Sequence, residues 1–165
     1  MKILVLSDSH SAMRFMRSCV EKVKPQAIVH LGDYYDDGET LKELYPHIEL
    51  HQVPGNCDRY RCPSWVHTRL CYDVCGVRLF MTHGHKYGVK SSTAMLVAEA
   101  RAMDAQAALY GHTHVAEVYR EESGMWVMNP GTAGYGGGSA GLIETDGKKI
   151  LSCRILTGEN LEEFV

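Results

Sequence analysis

The first third of the chain alternates short apolar runs with helical spacing, and every apolar run stops at polar residues that a simple turn does not require. KILVLS (2–7) leads into Asp8 and His10, QAIVHL (26–31) into Gly32 and Asp33, and IELHQV (48–53) into Pro54, Gly55 and Asn56. Between them, Ser11 to Val23 carries apolar residues at Met13, Met16, Val20 and Val23, a helical spacing that Pro25 ends, and Gly38 to Leu44 reads as a short helix. This β-α-β-α-β order implies parallel strands joined by right-handed crossovers. Open α/β sheets bind ligands beyond the carboxyl ends of their strands. The polar residues fall there.

After Trp65 the rhythm changes. VHTRLCYDV (66–74) and VRLFMTH (77–83) flank Cys75-Gly76 and read as a hairpin. Ser91 to Met103 reads as a helix with Ser91 or Ser92 as its N-cap, and AQAALY (105–110) as a further strand. Then come VAEVYR (115–120), MWVMN (125–129), AGLIET (140–145) and KILSCRI (149–155), which make the second half mostly antiparallel β with one helix. The glycine run within 131–141 is expected to be a loose turn or a flexible cleft rim, and the acidic GENLEEF (158–164) is expected to fray. At 165 residues the chain is expected to form one domain, 1–165, in the α/β (α+β) class.

Two more strand ends carry donors. His83 closes VRLFMTH, and His112 and His114 follow AQAALY in the stretch ALYGHTHV (108–115). If these ends are extended, alternate residues face the same way, so Asp8/His10 and His112/His114 each aim two donors at one region. With Asp33, Asn56 and His83 the set is seven donors: two carboxylates, one amide oxygen and four imidazoles. That is too many for one tetrahedral ion and suits two ions sharing a carboxylate. Nitrogen and oxygen donors without thiolate suit manganese, iron, cobalt, nickel or zinc. Ions ~3.5–4 Å apart lower the pKa of a shared water and clamp a displacement at phosphorus.

Asp8-Ser9-His10, Gly32-Asp33, Gly55-Asn56, His83 and Gly111-His112-Thr113-His114 stand in the order D-x-H, G-D, G-N-H-[D/E], H and G-H-x-H. In this the chain resembles the calcineurin-like metallophosphoesterase superfamily, and Asn129 to Thr132 (NPGT) matches a further hallmark of its small bacterial and archaeal phosphodiesterases. The resemblance implies a two-sheet β-sandwich flanked by helices. It assigns Asp8, His10 and His114 to one ion, and Asn56, His83 and His112 to the other, with Asp33 bridging. It implies two divalent cations, manganese before nickel, zinc, iron or cobalt, and hydrolysis of a small phosphate diester by a metal-bridging hydroxide. Where the broad pattern has a histidine after the asparagine, this chain has Cys57, which leaves the general acid unassigned. Two alternatives remain: a phosphomonoesterase of the same fold, and a protein-interaction scaffold like the eukaryotic retromer subunit that shares it.

Cys57 remains a catalytic candidate, and His85, two residues past His83, is expected either to contact substrate, to supply an acid in place of the missing histidine, or to serve only as support. Asn56 and His85 would steady the phosphoryl oxygens. His30 reads as a buried residue orienting a ligand. Arg59, Lys86 and Lys90 are candidates for the phosphate's anionic oxygens, against the commoner fate of solvated surface charges. His47, His51 and His67 receive no role. Specificity is expected in loops such as 34–38 and 60–65.

A net charge of −3 and the lack of a basic stripe disfavour extended nucleic acid and anionic membranes as partners. No apolar run approaches the ~20 residues of a membrane span, and no secretory layout is visible, so a cytoplasmic protein is expected. Six cysteines without a C-x-x-C then read as free thiols. A homo-oligomer stays open.

Overall fold

The computed structural model describes residues 1–164. Strands β1 (Lys2–Leu6), β2 (Ala27–His30) and β3 (Glu49–Gln52) are parallel, with α1 (Met13–Val23) and α2 (Tyr35–Leu44) as their connections. Strands β4 (Arg69–Val74) and β5 (Val77–Thr82) form the expected hairpin around Cys75-Gly76. Helix α3 (Ala94–Ala102) then leads to β6 (Ala107–Leu109), and β7 (Glu117–Arg120), β8 (Trp126–Asn129), β9 (Ser139–Thr145), β10 (Ile150–Thr157) and α4 (Gly158–Leu161) follow. Among the described residues two five-stranded sheets result, ordered β10-β9-β1-β2-β3 and β4-β5-β6-β8-β7.

Both sheets are covered on both faces, which is why β1 reads as an unbroken apolar run rather than an alternating one. Ile3 and Val5 point into the sandwich, against Leu79, Met81, Leu109 and Met128 of the other sheet. Leu4 and Leu6 point outward, against Met16, Cys19, Val20 and Val23 of α1. On the far side, Phe80, Ala108 and Val127 meet Leu96, Val97 and Ala100 of α3. The result is the expected two-sheet sandwich flanked by helices.

Four details differ from the sequence reading. The second half is mostly antiparallel as expected, but β5–β6 and β6–β8 are parallel, because the α3 crossover returns the chain in the direction of β5 and the two reversals around β7 return it in the direction of β6. β9 and β10 leave that sheet and join the first one beside β1. α2 begins at Tyr35 rather than Gly38, and α3 at Ala94 rather than Ser91. The acidic tail is helical rather than frayed: Thr157 and Asn160 form a capping box, Leu161 is buried, and Lys22 meets Glu162 at 2.5 Å.

Candidate metal centre

The seven sequence-identified donors meet at one end of the sandwich, beyond the carboxyl ends of β1, β2, β3, β5 and β6. They do not converge by strand pleat, as alternation had suggested. Every strand has ended before them, and Asp8, His10, Asp33, His112 and His114 all adopt left-handed backbone, with φ between 44° and 71°. Non-glycine residues in that region cost about 1–3 kcal/mol each and persist only where their surroundings enforce them. Their clustering at one spot marks the site independently of residue type.

The enforcement is visible. Asp58, fully buried, accepts four backbone N–H groups: Asp33 at 2.8 Å and Gly55 at 2.7 Å on Oδ2, and Tyr34 at 2.7 Å and Tyr35 at 2.9 Å on Oδ1. That carboxylate pins the loop after β2 to the loop after β3. The two backbones pass so closely that a Cβ on Gly55 would stand 2.1 Å from Asp33 Oδ1. On the other side, Asn129 donates to the Gly111 carbonyl (3.1 Å) and to Thr113 Oγ1 (2.8 Å), and Thr132 Oγ1 donates to the Asp8 carbonyl (2.8 Å). The NPGT segment thus ties the first donor loop to the last.

Ser9, between Asp8 and His10, donates to Asp37 Oδ2 at 2.7 Å and lies 3.0 Å from His30 Nε2. The Gly32 N–H points at His30 Nδ1 (3.3 Å), so Nε2 carries the ring proton and donates to Ser9. His30 is therefore the supporting histidine expected, acting through Ser9. Asp37, Asp58 and Thr132 carry no signal of their own in periodicity; Asp58 is visible only as the acidic end of the G-N-x-D pattern.

Asp8 is fully buried, with Oδ2 taken by Ser7 Oγ (2.6 Å) and the His112 N–H (3.1 Å). Its Oδ1 accepts no hydrogen bond, yet lies 3.0 Å from His114 Nε2 and 3.9 Å from His83 Nε2. His83 gives its Nδ1 proton to the Leu31 carbonyl (2.8 Å). Its Nε2 faces three oxygens: Asn56 Oδ1 at 3.1 Å, Asp33 Oδ2 at 3.6 Å and Asp8 Oδ1 at 3.9 Å. A carboxylate oxygen buried without a hydrogen bond, as Asp8 Oδ1 is, needs a cation beside it. His10 Nε2 is likewise buried without a partner. Ligand atoms of Asp8, His10, Asp33 and His114 all lie within 4.8 Å of one another. The donor set fits divalent metal.

His83, His112 and His85 form a second group, with ring centroids 5.1 Å apart for His83–His112, 5.5 Å for His83–His85 and 6.1 Å for His85–His112. His85 sits in a short 3₁₀ turn, not two residues along a strand, and still faces this group. Burial, the neighbouring imidazoles and nearby lysines hold His85 and His112 below the ordinary histidine value, so both are neutral and able to ligate or donate near pH 7. Burial raises the Asp33 carboxyl, but His83, the Cys57 N–H donated to Oδ1 at 2.9 Å and His10 outweigh it, and the net shift is downward. Cys57 contributes that amide; burial and Asp33 push its exposed thiol up, so it keeps its proton.

Arg59 lies by the Tyr60 ring and Lys86 reaches Thr68 Oγ1 at 3.5 Å, both exposed, whereas Lys90 is close enough to depress His112. Asn56 and His114 are exposed while Asp8 and His83 are buried, so the centre reaches solvent on the side of Asn56 and His114.

A family model described as the calcineurin-like phosphoesterase superfamily domain matches residues 1–148. The chain belongs to this superfamily. It is 27% identical over 137 residues to the probable metallophosphoesterase YsnB of Bacillus subtilis, covering 80% of this chain and 75% of that one. A conserved protein of Streptococcus pneumoniae, described as a predicted phosphoesterase, is 25% identical, with a TM-score of 0.73 over 94% of this chain and 88% of that one. Wild-type Vps29 from Entamoeba histolytica, solved with Zn²⁺, shares the fold at 19% identity and a TM-score of 0.71, over 95% of this chain and 99% of that one. Among the described residues no helix is long and apolar enough to cross a membrane.

Proposed function

We propose that the protein is a phosphodiesterase that hydrolyses small phosphate diesters at two divalent ions, manganese the first choice. The observation that carries this is the convergence of Asp8, His83, Asn56 and Asp33, with Asp8 Oδ1 and His10 Nε2 buried without a hydrogen-bond partner, inside a loop cage that also holds His112 and His114. In this reading Asp8, His10 and His114 hold one ion, Asn56, His83 and His112 the other, and Asp33 both. Bound there, the ions would supply a water of lowered pKa as nucleophile and positive charge for the phosphoryl oxygens. The chain's own groups do the rest. Asp58 and the NPGT segment fix the donors before substrate arrives. Asn56, on the open face, and His85 donate to phosphoryl oxygens. In this reading His85, half-buried beside His83 and His112, protonates the leaving oxygen from its imidazolium form, a role the Cys57 thiol, which holds its proton, fills poorly.

The six free thiols fit work in the cytoplasm. The scaffold alternative draws on the Vps29 fold alone, and a surface for protein contact has no need of seven intact donors around a buried, unpartnered carboxylate oxygen. Elemental analysis of the purified protein, then release of p-nitrophenol from bis(p-nitrophenyl) phosphate and p-nitrophenyl phosphate with added Mn²⁺, tests the reading. Near two ions per chain and faster diester turnover are expected, with loss of both in chelator. A metal-free protein that turns over neither ester sinks it, and faster monoester turnover transfers the reading to the phosphomonoesterase.

A further inference from the structure

Beside the donor cluster lies a groove of about 780 Å³ for which the proposed chemistry has not yet found a use. It opens at His114 and runs past Tyr135, Gly137 and Ser139 to Thr157 and Glu159, from the metal centre to the junction of β10 and α4. Among the described residues no lysine or arginine lines it, and Glu159 gives its far end a negative charge.

Tyr135 forms the wall next to the metal centre. It is 56% exposed, so core packing does not account for an aromatic residue there. Its ring lies 5.7 Å from that of His114, nearly parallel at 21°, and 5.2 Å from His10. The chain before it is fastened to the first donor loop, where the Ala133 N–H donates to the Ser7 carbonyl at 3.0 Å. The chain after it is fastened too. The Gly138 N–H returns to the Tyr135 carbonyl at 3.0 Å, and Gly138, at φ +85°, lies so close to Phe15 that a Cβ would stand 2.6 Å from its ring. An exposed ring already held in place loses little freedom when a ligand stacks on it.

His85 and Cys57 stand on the Asn56–His83–His112 side of the centre, and in the diesterase reading the leaving oxygen lies on that side. The attacking oxygen takes the position opposite the leaving oxygen, and the retained arm, on an equatorial oxygen, turns over His114 toward the groove. We infer that the groove seats this retained arm, that Tyr135 is its stacking platform and the residue that selects it, and that the arm is a ring-bearing group without phosphate or carboxylate of its own. The inference rests on the diesterase reading. In the reaction, water oxygen bonds to phosphorus, the bond to the leaving oxygen breaks, and the leaving alcohol takes a proton. The ring stays on the monoester product.

Methyl and phenyl p-nitrophenyl phosphate share a leaving group and differ in the retained arm. With Mn²⁺ present, the phenyl-to-methyl ratio of kcat/KM is expected to fall roughly tenfold in Tyr135→Leu, the scale of one aromatic stacking contact with its buried area. It should be retained in Tyr135→Phe. For a 4-carboxyphenyl arm, Glu159→Lys should raise the rate relative to phenyl. Independently of turnover, titrating the wild-type protein with phenyl phosphate should shift the backbone amide signals of 135–139, and methyl phosphate should not. An unchanged ratio in Tyr135→Leu overturns the inference, as do amides that ignore phenyl phosphate. Failure of the wild type to hydrolyse either diester would instead count against the diesterase reading, and the amide titration would still decide the groove.

Discussion

Asp58→Asn replaces one oxygen of a fully buried carboxylate with an NH₂ group while keeping its shape. Each oxygen accepts two backbone N–H groups, Asp33 and Gly55 on Oδ2 and Tyr34 and Tyr35 on Oδ1, all within 2.9 Å. Whichever way the new amide turns, its NH₂ faces two donors. Hydrogen bonds to a charged group are worth about 1.5–3 kcal/mol each, and the stranded amides have no water to turn to, so losing two costs about 3–6 kcal/mol. Total stability of a domain is about 5–15 kcal/mol. At a few degrees per kcal/mol, Tm should drop by roughly 10–20 °C. Asp58→Ala leaves space that water can enter and should be no worse than Asp58→Asn, an inversion of the usual order of conservative and non-conservative changes. Urea and thermal unfolding followed by circular dichroism measure both. An Asp58→Asn protein within about 1 kcal/mol of wild type would refute the idea that this carboxylate holds the donor loops.

Asp33→Asn should lose more bound metal than Asn56→Ala, because a bridging charge holds two cations together; equal, near-full occupancy by elemental analysis would remove Asp33 from the bridge. If His85 supplies the leaving-group proton, His85→Ala should depress hydrolysis of alkyl diesters by roughly 10²–10⁴-fold and spare aryl diesters, whose leaving oxygens depart unprotonated. Cys57→His would then add little; a large alkyl-selective gain in that variant would show instead that the site lacks an acid. Burial holds His30 below the ordinary histidine value despite the pull of Asp37, Asp58 and Asp8. Below pH ~6.5 the unfolded chain therefore takes up a proton that the folded chain refuses, and stability falls as pH drops. In chelator, His30→Gln should flatten the fall in urea midpoint between pH 7 and 5, and a slope equal to wild type would show that His30 does not contribute to it.

Much of the candidate donor cluster was legible because each of its residues follows a strand whose apolar run is a local pattern, and strand ends in an α/β sheet share one side. Alternation along an extended strand is not what brings these residues together. Asp8/His10 and His112/His114 meet through left-handed backbone, and nothing in Asp-Ser-His or His-Thr-His announces positive φ. Asp58 was harder to see. A lone carboxylate after Cys57 reads as surface charge until two loops are known to pass within reach of it.

By itself, the sequence determined the parallel first half, the two buried faces of β1 and the chemical identity of the donors, since each depends on residue type and near-neighbour spacing. The tertiary structure decided what depends on contacts between distant segments. It sent β9 and β10 back beside β1 and set the NPGT segment across the first and last donor loops. It also held Tyr135 over His114 at the mouth of a groove whose walls lie on either side of β9. Such pairings arise from packing two sheets and closing long loops, and no short window of residues carries that information.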